Sequence, residues 1–312
     1  MSRSCDCVKF DCVIPFFFFL FGLIIGSFLN VCITRIPEGL SVVSPSSRCP
    51  RCLTSIKPYD NIPVLGWIFL RGKCRTCGLA ISPMYPIIEL ITALLFLLTY
   101  YEFGLTVTAF KWLLFACLML ILIVTDILYR LLPDAITWTG FGMGLAFATK
   151  IFPPYSAIPD ILLLLHVRSL PRIPPAVFGV ADALLGAAIG AFFLRSAAML
   201  YKLIRRREGM GMGDVKMMAL VGAFLGVRGA FLTILIGTLL GSIFGIILIS
   251  SLYLAGWKGK LAERAHRRGL GELNALRWTL ASQYHLPLGT FLGIAALFVV
   301  YGFRYAVSRI FA

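Results

Sequence analysis

The chain has 312 residues, 59% of them apolar and only 14% charged. Soluble domains run at roughly 45–50% apolar and about 25% charged, and a mean hydropathy of +0.91 excludes a soluble globular enzyme. The net charge of +15 reads as the loop charge of a polytopic membrane protein, because no basic run is interleaved with stacking aromatics as nucleic-acid binding would require.

In chain order, Val13–Leu29 is almost wholly apolar. No A-x-A-like cleavage site follows it, so it reads as a retained transmembrane helix and not a signal peptide. Gly22, Gly26 and Ser27 are spaced for close helix packing. Residues 33–84 then form a polar segment with seven Lys/Arg, two acids (Glu38, Asp60) and Pro at 37, 45, 50, 58, 63 and 83. That segment has too little apolar material for its own core, so a metal or disulfides must hold it. It contains Cys49-Pro-Arg-Cys52 and Cys74-Arg-Thr-Cys77, two CxxC pairs 21 residues apart. Such spacing reads as a four-thiolate zinc site on a reducing face, with disulfides as the alternative. Cys32 and Cys117 read as small apolar filler, and Cys5, Cys7 and Cys12 carry no pattern.

Further helices are expected over about 86–101, 107–127, 135–149, 177–200, 214–227, 230–254 and 286–303, giving about eight transmembrane helices in an all-α fold. Residues 150–176 hold six prolines and read as an irregular loop, and a charged loop runs from 255 to about 284. With an outer N-terminus, 19 of the 29 basic residues fall on the inner side. That bias puts residues 33–84 in the cytoplasm and both termini in the periplasm. No internal repeat is evident, which disfavours transporters built from duplicated halves.

Ionisable groups at membrane depth are costly and default to functional candidates. Asp126 ends the apolar run Trp112–Thr125, and Asp214 opens a helix after the turn Gly209-Met-Gly-Met-Gly213. Both lie at the same membrane face on different helices, so packing could join them. Two carboxylates in one site cannot both ionise cheaply; the resulting acid and base can polarise an amide and activate a water. A position at or near an N-cap makes Asp214 the expected charged member. Each of the two has a plain structural alternative, a helix cap for Asp214 and a local hydrogen bond for Asp126. Asp134 reads first as a cap, Glu89 and Asp182 as internal partners, and Lys216 as a snorkelling side chain. His166, His266 and His285 show no ligand-like spacing.

These motifs together, in order along nearly the whole chain, resemble the type IV prepilin peptidases (prepilin leader peptidase/N-methyltransferases). The resemblance rests on Gly26-Ser-Phe-Leu-Asn-Val31 running on to Arg35-Ile-Pro37, Ser47-Arg-Cys-Pro-Arg-Cys52, Asp60-Asn-Ile-Pro63, Leu70-Arg-Gly-Lys-Cys74-Arg-Thr-Cys77 and Tyr85-Pro-Ile-Ile-Glu89. It continues in Asp126 with Leu132-Pro-Asp134, and in Gly211-Met-Gly-Asp214-Val-Lys216. It implies a bacterial inner-membrane aspartic endopeptidase that removes the leader of type IV prepilins and type II secretion pseudopilins after a Gly. S-adenosylmethionine-dependent N-methylation of the new N-terminus then follows. The resemblance maps the catalytic pair onto Asp126 and Asp214, and the methylation region onto the cytoplasmic segment with Gly72 and Lys73. It implies three parts: residues 1–32 with the first helix, the module at 33–84, and a peptidase core over 85–312. Two features depart from the family pattern: the proline-rich insert at 150–176, and Leu286-Pro-Leu-Gly-Thr290 where a Pro-Phe-Gly-Pro-like segment is usual. Membrane lipids, and no nucleic acid, are the other expected contacts. The competing readings are a peptidase without methylation, a proton-coupled transporter and a zinc-stabilised membrane scaffold.

Overall fold

The structure, a computed structural model, describes residues 4–151, 174–206, 211–254 and 287–310. The charged loop to about 284, the three histidines, Gly209 and nearly all of the 150–176 insert therefore lie outside the described residues, as do the side chains of Cys5, Cys7 and Cys12. The described residues fold into α1 (Ser4–Arg35), a short α2 (Leu65–Phe69), α3 (Met84–Phe103), α4 (Val107–Tyr129), α5 (Asp134–Ala148), α6 (Pro175–Arg205), α7 (Met212–Leu254) and α8 (Leu288–Ile310). Among them there is no strand, only isolated bridges between Arg48 and Ser55 and between Lys73 and Ala80.

Five helical stretches are long and apolar enough to cross a membrane: Val13–Arg35, Met84–Phe103, Val107–Tyr129, Ala176–Arg205 and Met212–Leu248. The eight expected segments are all helical, but α5, with 15 residues, is shorter than the roughly 20 residues a span needs. The expected sixth and seventh helices run on as the single element α7, broken only at Gly226 (φ 78°, ψ −176°). That φ is open to glycine and disfavoured for residues carrying a Cβ. The break reverses the chain. A side-chain carbon on Gly190 of α6 would meet the Met218 carbonyl at 3.0 Å and Ala230 at 3.4 Å, although a straight helix would set those two residues about 18 Å apart.

Lipid tails are as apolar as leucine, so close packing holds such helices together. On α1, side-chain carbons at Gly22 and Gly26 would lie 2.6 and 2.7 Å from the backbone of Ala93 and Glu89, so α1 and α3 meet backbone to backbone. The buried helix is α4. Thr106 caps it by accepting the Ala109 N–H at 3.1 Å, and Arg130 ends it in the left-handed region, donating its N–H to the Asp126 carbonyl. Around α4 a core of Phe115, Met119, Leu122, Met217, Phe224 and Leu292 joins α4, α7 and α8. A smaller cluster on Leu29, Cys32, Ile33 and Ile121, with Cys117 against it, joins α1 to α4. Cys32 and Cys117 are the apolar filler the sequence suggested.

Candidate active site

Asp126 lies on the last turn of α4 and Asp214 on the first turn of α7. They are 6% and 8% exposed. The backbone at the start of α8 passes between them: a side-chain carbon on Gly289 would sit 3.0 Å from Asp126 Oδ2 and 3.0 Å from Asp214 Oδ1. The two oxygens therefore lie within twice that distance of each other. Leu132 closes one side, 3.1 Å from the same position on Gly289 and 3.0 Å from the corresponding one on Gly213. Glycine at 289 leaves open the space between the acids that any side chain would fill.

Both donors at this site converge on one acid. Thr290 donates its backbone N–H to Asp126 Oδ2 at 2.6 Å, and its hydroxyl lies 2.9 Å from the same oxygen. A backbone N–H can only donate, so this oxygen is an acceptor. The sequence-based expectation gave the charge to Asp214 because it sits near a helix N-terminus. The donors instead reach Asp126, because α8 approaches from the α4 side. Sequence reasoning had noted Leu-Gly-Thr290 only as a departure from a motif; an ordinary threonine at a helix start carries no sign of a partner 164 residues away.

The neighbouring acids are committed elsewhere. Asp134 is held by Lys216, whose Nζ reaches both its oxygens, at 2.6 and 2.7 Å. That ion pair ties α5 to α7, so the cap assigned to Asp134 and the snorkelling assigned to Lys216 are replaced by one interhelix bond. Glu89 Oε2 accepts the Val64 N–H at 2.7 Å, so this acid is an internal partner, as expected. Asp182 is fully buried on α6.

The second cluster lies in the segment between α1 and α3. The Sγ atoms of Cys49, Cys52, Cys74 and Cys77 all lie within 4.8 Å of one another, with Cys49–Cys77 at 3.9 Å and Cys52–Cys74 at 4.0 Å. Four thiolates about 2.3 Å from a tetrahedral zinc stand roughly 3.8 Å apart, so the donor set fits that ion. All four are free thiols, and at these separations no disulfide links them. The Thr54 hydroxyl, followed by its backbone N–H, pushes the Cys52 thiol down to about 6; the backbone N–H groups of Cys77 and Thr76 lower Cys74. Such donors favour the thiolate a metal needs at these two positions, whereas at Cys77 the Leu79 backbone bond is outweighed by desolvation and the facing thiols, which push it up to about 11. Beside the tetrad, Arg75 grips Asp60 through two bonds of 2.8 and 2.6 Å and holds its carboxyl below the usual range.

Gly72 and Lys73 immediately precede Cys74 in this module. Gly72 is buried with φ at 66°, and a side-chain carbon there would meet the Trp67 ring at 2.8 Å. Its N–H reaches the Trp67 carbonyl at 2.9 Å and its carbonyl accepts the Ile81 N–H at 2.7 Å. Lys73 is exposed. These contacts give Gly72 a turn-forming role and leave the Lys73 side chain open to a ligand.

Comparison with known proteins gives two matches that between them cover most of the chain. Residues 20–103 match the bacterial peptidase A24 N-terminal domain, and residues 113–246 match the type IV leader peptidase family. A prepilin leader peptidase/N-methyltransferase of Myxococcus xanthus is 34% identical over 273 residues, covering 87% of this chain and 73% of that protein. Proteins of the same name from Pseudomonas aeruginosa (34% identical, 74% of this chain, 79% of the relative) and Bacillus subtilis (32%, 79% and 85%) are similarly alike. No solved structure matches the chain.

Proposed function

Because the chain belongs to the type IV leader peptidase family, we propose that Asp126 and Asp214 are the catalytic pair with which it cuts its substrate. The protein is a multi-pass inner-membrane enzyme, a prepilin leader peptidase and N-methyltransferase. The observation that carries the assignment is the pair of buried carboxylates flanking Gly289.

In the proposed mechanism Asp126 is the ionised base, since the Thr290 donors favour its charged form. Asp214, which faces it without those donors, holds the proton. A water between them gives a proton to Asp126 as its oxygen attacks the scissile carbonyl carbon, while Asp214 donates to the carbonyl oxygen. The tetrahedral intermediate collapses as the leaving nitrogen takes the proton from Asp126 and a hydroxyl of the intermediate returns one to Asp214, and the C–N bond breaks. Thr290 is a positioning residue in this scheme, and Gly289 keeps the space for water and carbonyl clear.

The released amine is then the nucleophile for methylation. S-adenosylmethionine, when bound, would supply the methyl group to that nitrogen. The segment at 33–84 is the proposed platform, with Gly72 setting its turn and Lys73 at the donor site. Cys49, Cys52, Cys74 and Cys77 would hold a structural zinc there; four thiolates leave no open position for water. The remaining assignments follow the same reading: residues 1–32 as entry helix, 85–312 as peptidase core, the module and the acid pair facing the cytoplasm, and pseudopilins as further substrates. Mass spectrometry of a prepilin incubated with the purified enzyme, with and without S-adenosylmethionine, tests it. Loss of the leader in both arms and a gain of one methyl group only in the second is the expected result. Cleavage without methyl gain would leave a peptidase alone, and an intact prepilin would overturn the assignment.

A further inference from the structure

The five residues of α2, Leu-Gly-Trp-Ile-Phe, pack with their polar backbone surroundings inward. Gly66 lies under the Asp60 carbonyl, and the Trp67 ring covers Gly72 while its Nε1 donates to the Ile81 carbonyl at 3.1 Å. The outer face is apolar: Leu65, Ile68 and Phe69 are 49%, 55% and 78% exposed. Their i, i+3, i+4 spacing makes one stripe. A soluble module would turn that stripe inward, and this one does not.

The height of the stripe is set by a hydrogen bond. Val64, the residue that opens α2, donates its N–H to Glu89 Oε2 at 2.7 Å. Glu89 lies within the membrane-spanning helix Met84–Phe103, and its neighbours Ile87, Leu90 and Ile91 are exposed on the outer side of α3. The stripe on α2 therefore begins level with side chains of α3 that face lipid. Arg71, exposed and two residues beyond Phe69, adds a cation where an anionic headgroup would lie.

We infer that α2 is seated in the membrane–water interface with Leu65, Ile68 and Phe69 in the acyl boundary, so that the cysteine module docks on the lipid surface. An apolar stripe beside a cation, at the height of lipid-facing side chains, is the pattern of an interfacial helix. Docking fixes the module close to the membrane boundary, where a leader cut at Asp126 and Asp214 would release its amine.

The test is photo-crosslinking of the full-length protein, with p-benzoylphenylalanine in place of Phe69, in nanodiscs of phosphatidylethanolamine and phosphatidylglycerol. Phospholipid adducts on the peptide carrying position 69 are the expected main product. One zinc per chain, measured on the same sample, establishes that the module is folded; if it is not, the probe moves to Leu65 or Ile68. A folded protein that gives no lipid adduct, or whose main adduct is to a second copy of the chain or another protein, overturns the inference. The readout needs no turnover, so its failure is separate from any failure of the catalytic assignment.

Discussion

The two functional regions are held in opposite ways. Asp126 and Asp214 stand at the rim of a core that includes Phe115, Met217, Phe224 and Leu292, so their positions are set by helices that are fixed before any ligand arrives. Between residues 36 and 83 only Cys49, Gly66 and Gly72 are buried, and none contributes a large apolar side chain. There the order comes from four thiols, a few backbone hydrogen bonds and the Glu89 and Asp60 carboxylates. A site on a packed core tolerates the loss of a metal; a site on a module without a core does not.

Replacing the acids attacks the rigid region at the proposed catalytic pair. Asp126→Asn and Asp214→Asn are each expected to lower cleavage by at least about three orders of magnitude, because an amide cannot exchange the proton. Circular dichroism and membrane insertion should be unchanged, since the surrounding core is untouched. Near-wild-type cleavage by either variant would remove that residue from the mechanism.

Metal removal attacks the other region. Chelation, or Cys74→Ser, should leave the module without its cross-link and lower methylation by more than about tenfold, because metal binding is the folding energy of such modules. Cleavage should fall only a few-fold by the same principle. Lys73→Ala should show the same selectivity with zinc retained. Initial rates of both steps on one prepilin measure the split; equal losses would make the module a shared substrate platform.

What the sequence could reveal follows the same division. The tetrad was legible because metal ligands obey a fixed local spacing, and the two acids because a charge beside an apolar run is costly wherever it stands. Most helices were legible from apolar length alone. The partners were not. The Lys216–Asp134 pair joins residues 82 apart, and Thr290 meets Asp126 across 164; neither leaves a local pattern. The break between the sixth and seventh helices, expected just after 227, falls at Gly226; its exact residue was not legible because a glycine among apolar residues gives no sign of its φ. The positive φ at Leu53 runs against residue preference and could not be inferred.

Thr290 offers a finer cut within the rigid region. Thr290→Val keeps the N–H and removes the hydroxyl bond to a charged group, so kcat should fall about tenfold with KM unchanged. Thr290→Ser should restore it. Thr290→Pro, sterically acceptable in a first helical turn, loses both donors and should fall further. The charged groups facing Asp126 are Asp214 from α7 and Arg130 at the end of its own helix; Asp134 and Glu89 are engaged by Lys216 and Val64. A fall in kcat that serine does not restore would reduce Thr290 to a packing role.

The smallest effect lies in the module, where two short turns are built alike. Cys49 donates its N–H to the Thr54 carbonyl at 3.0 Å and accepts from Leu53 at 2.9 Å; Cys74 donates to Leu79 at 2.9 Å and accepts from Gly78 at 2.9 Å. The residue after each second cysteine is left-handed, Leu53 with φ 59° and Gly78 with φ 68°. Only the second turn carries the residue suited to that conformation. A leucine there costs about 1 kcal/mol, and because Leu53 is exposed its side chain returns little packing. Leu53→Gly should therefore tighten zinc retention several-fold, read as the chelator concentration needed to remove half the metal. Gly78→Leu should loosen it by a similar factor through conformation alone, because nothing lies within 4 Å of the side-chain position it would add. Weaker retention in Leu53→Gly would mean that the leucine side chain, and not its backbone, holds the first turn, and the likeness between the two turns would end at their hydrogen bonds.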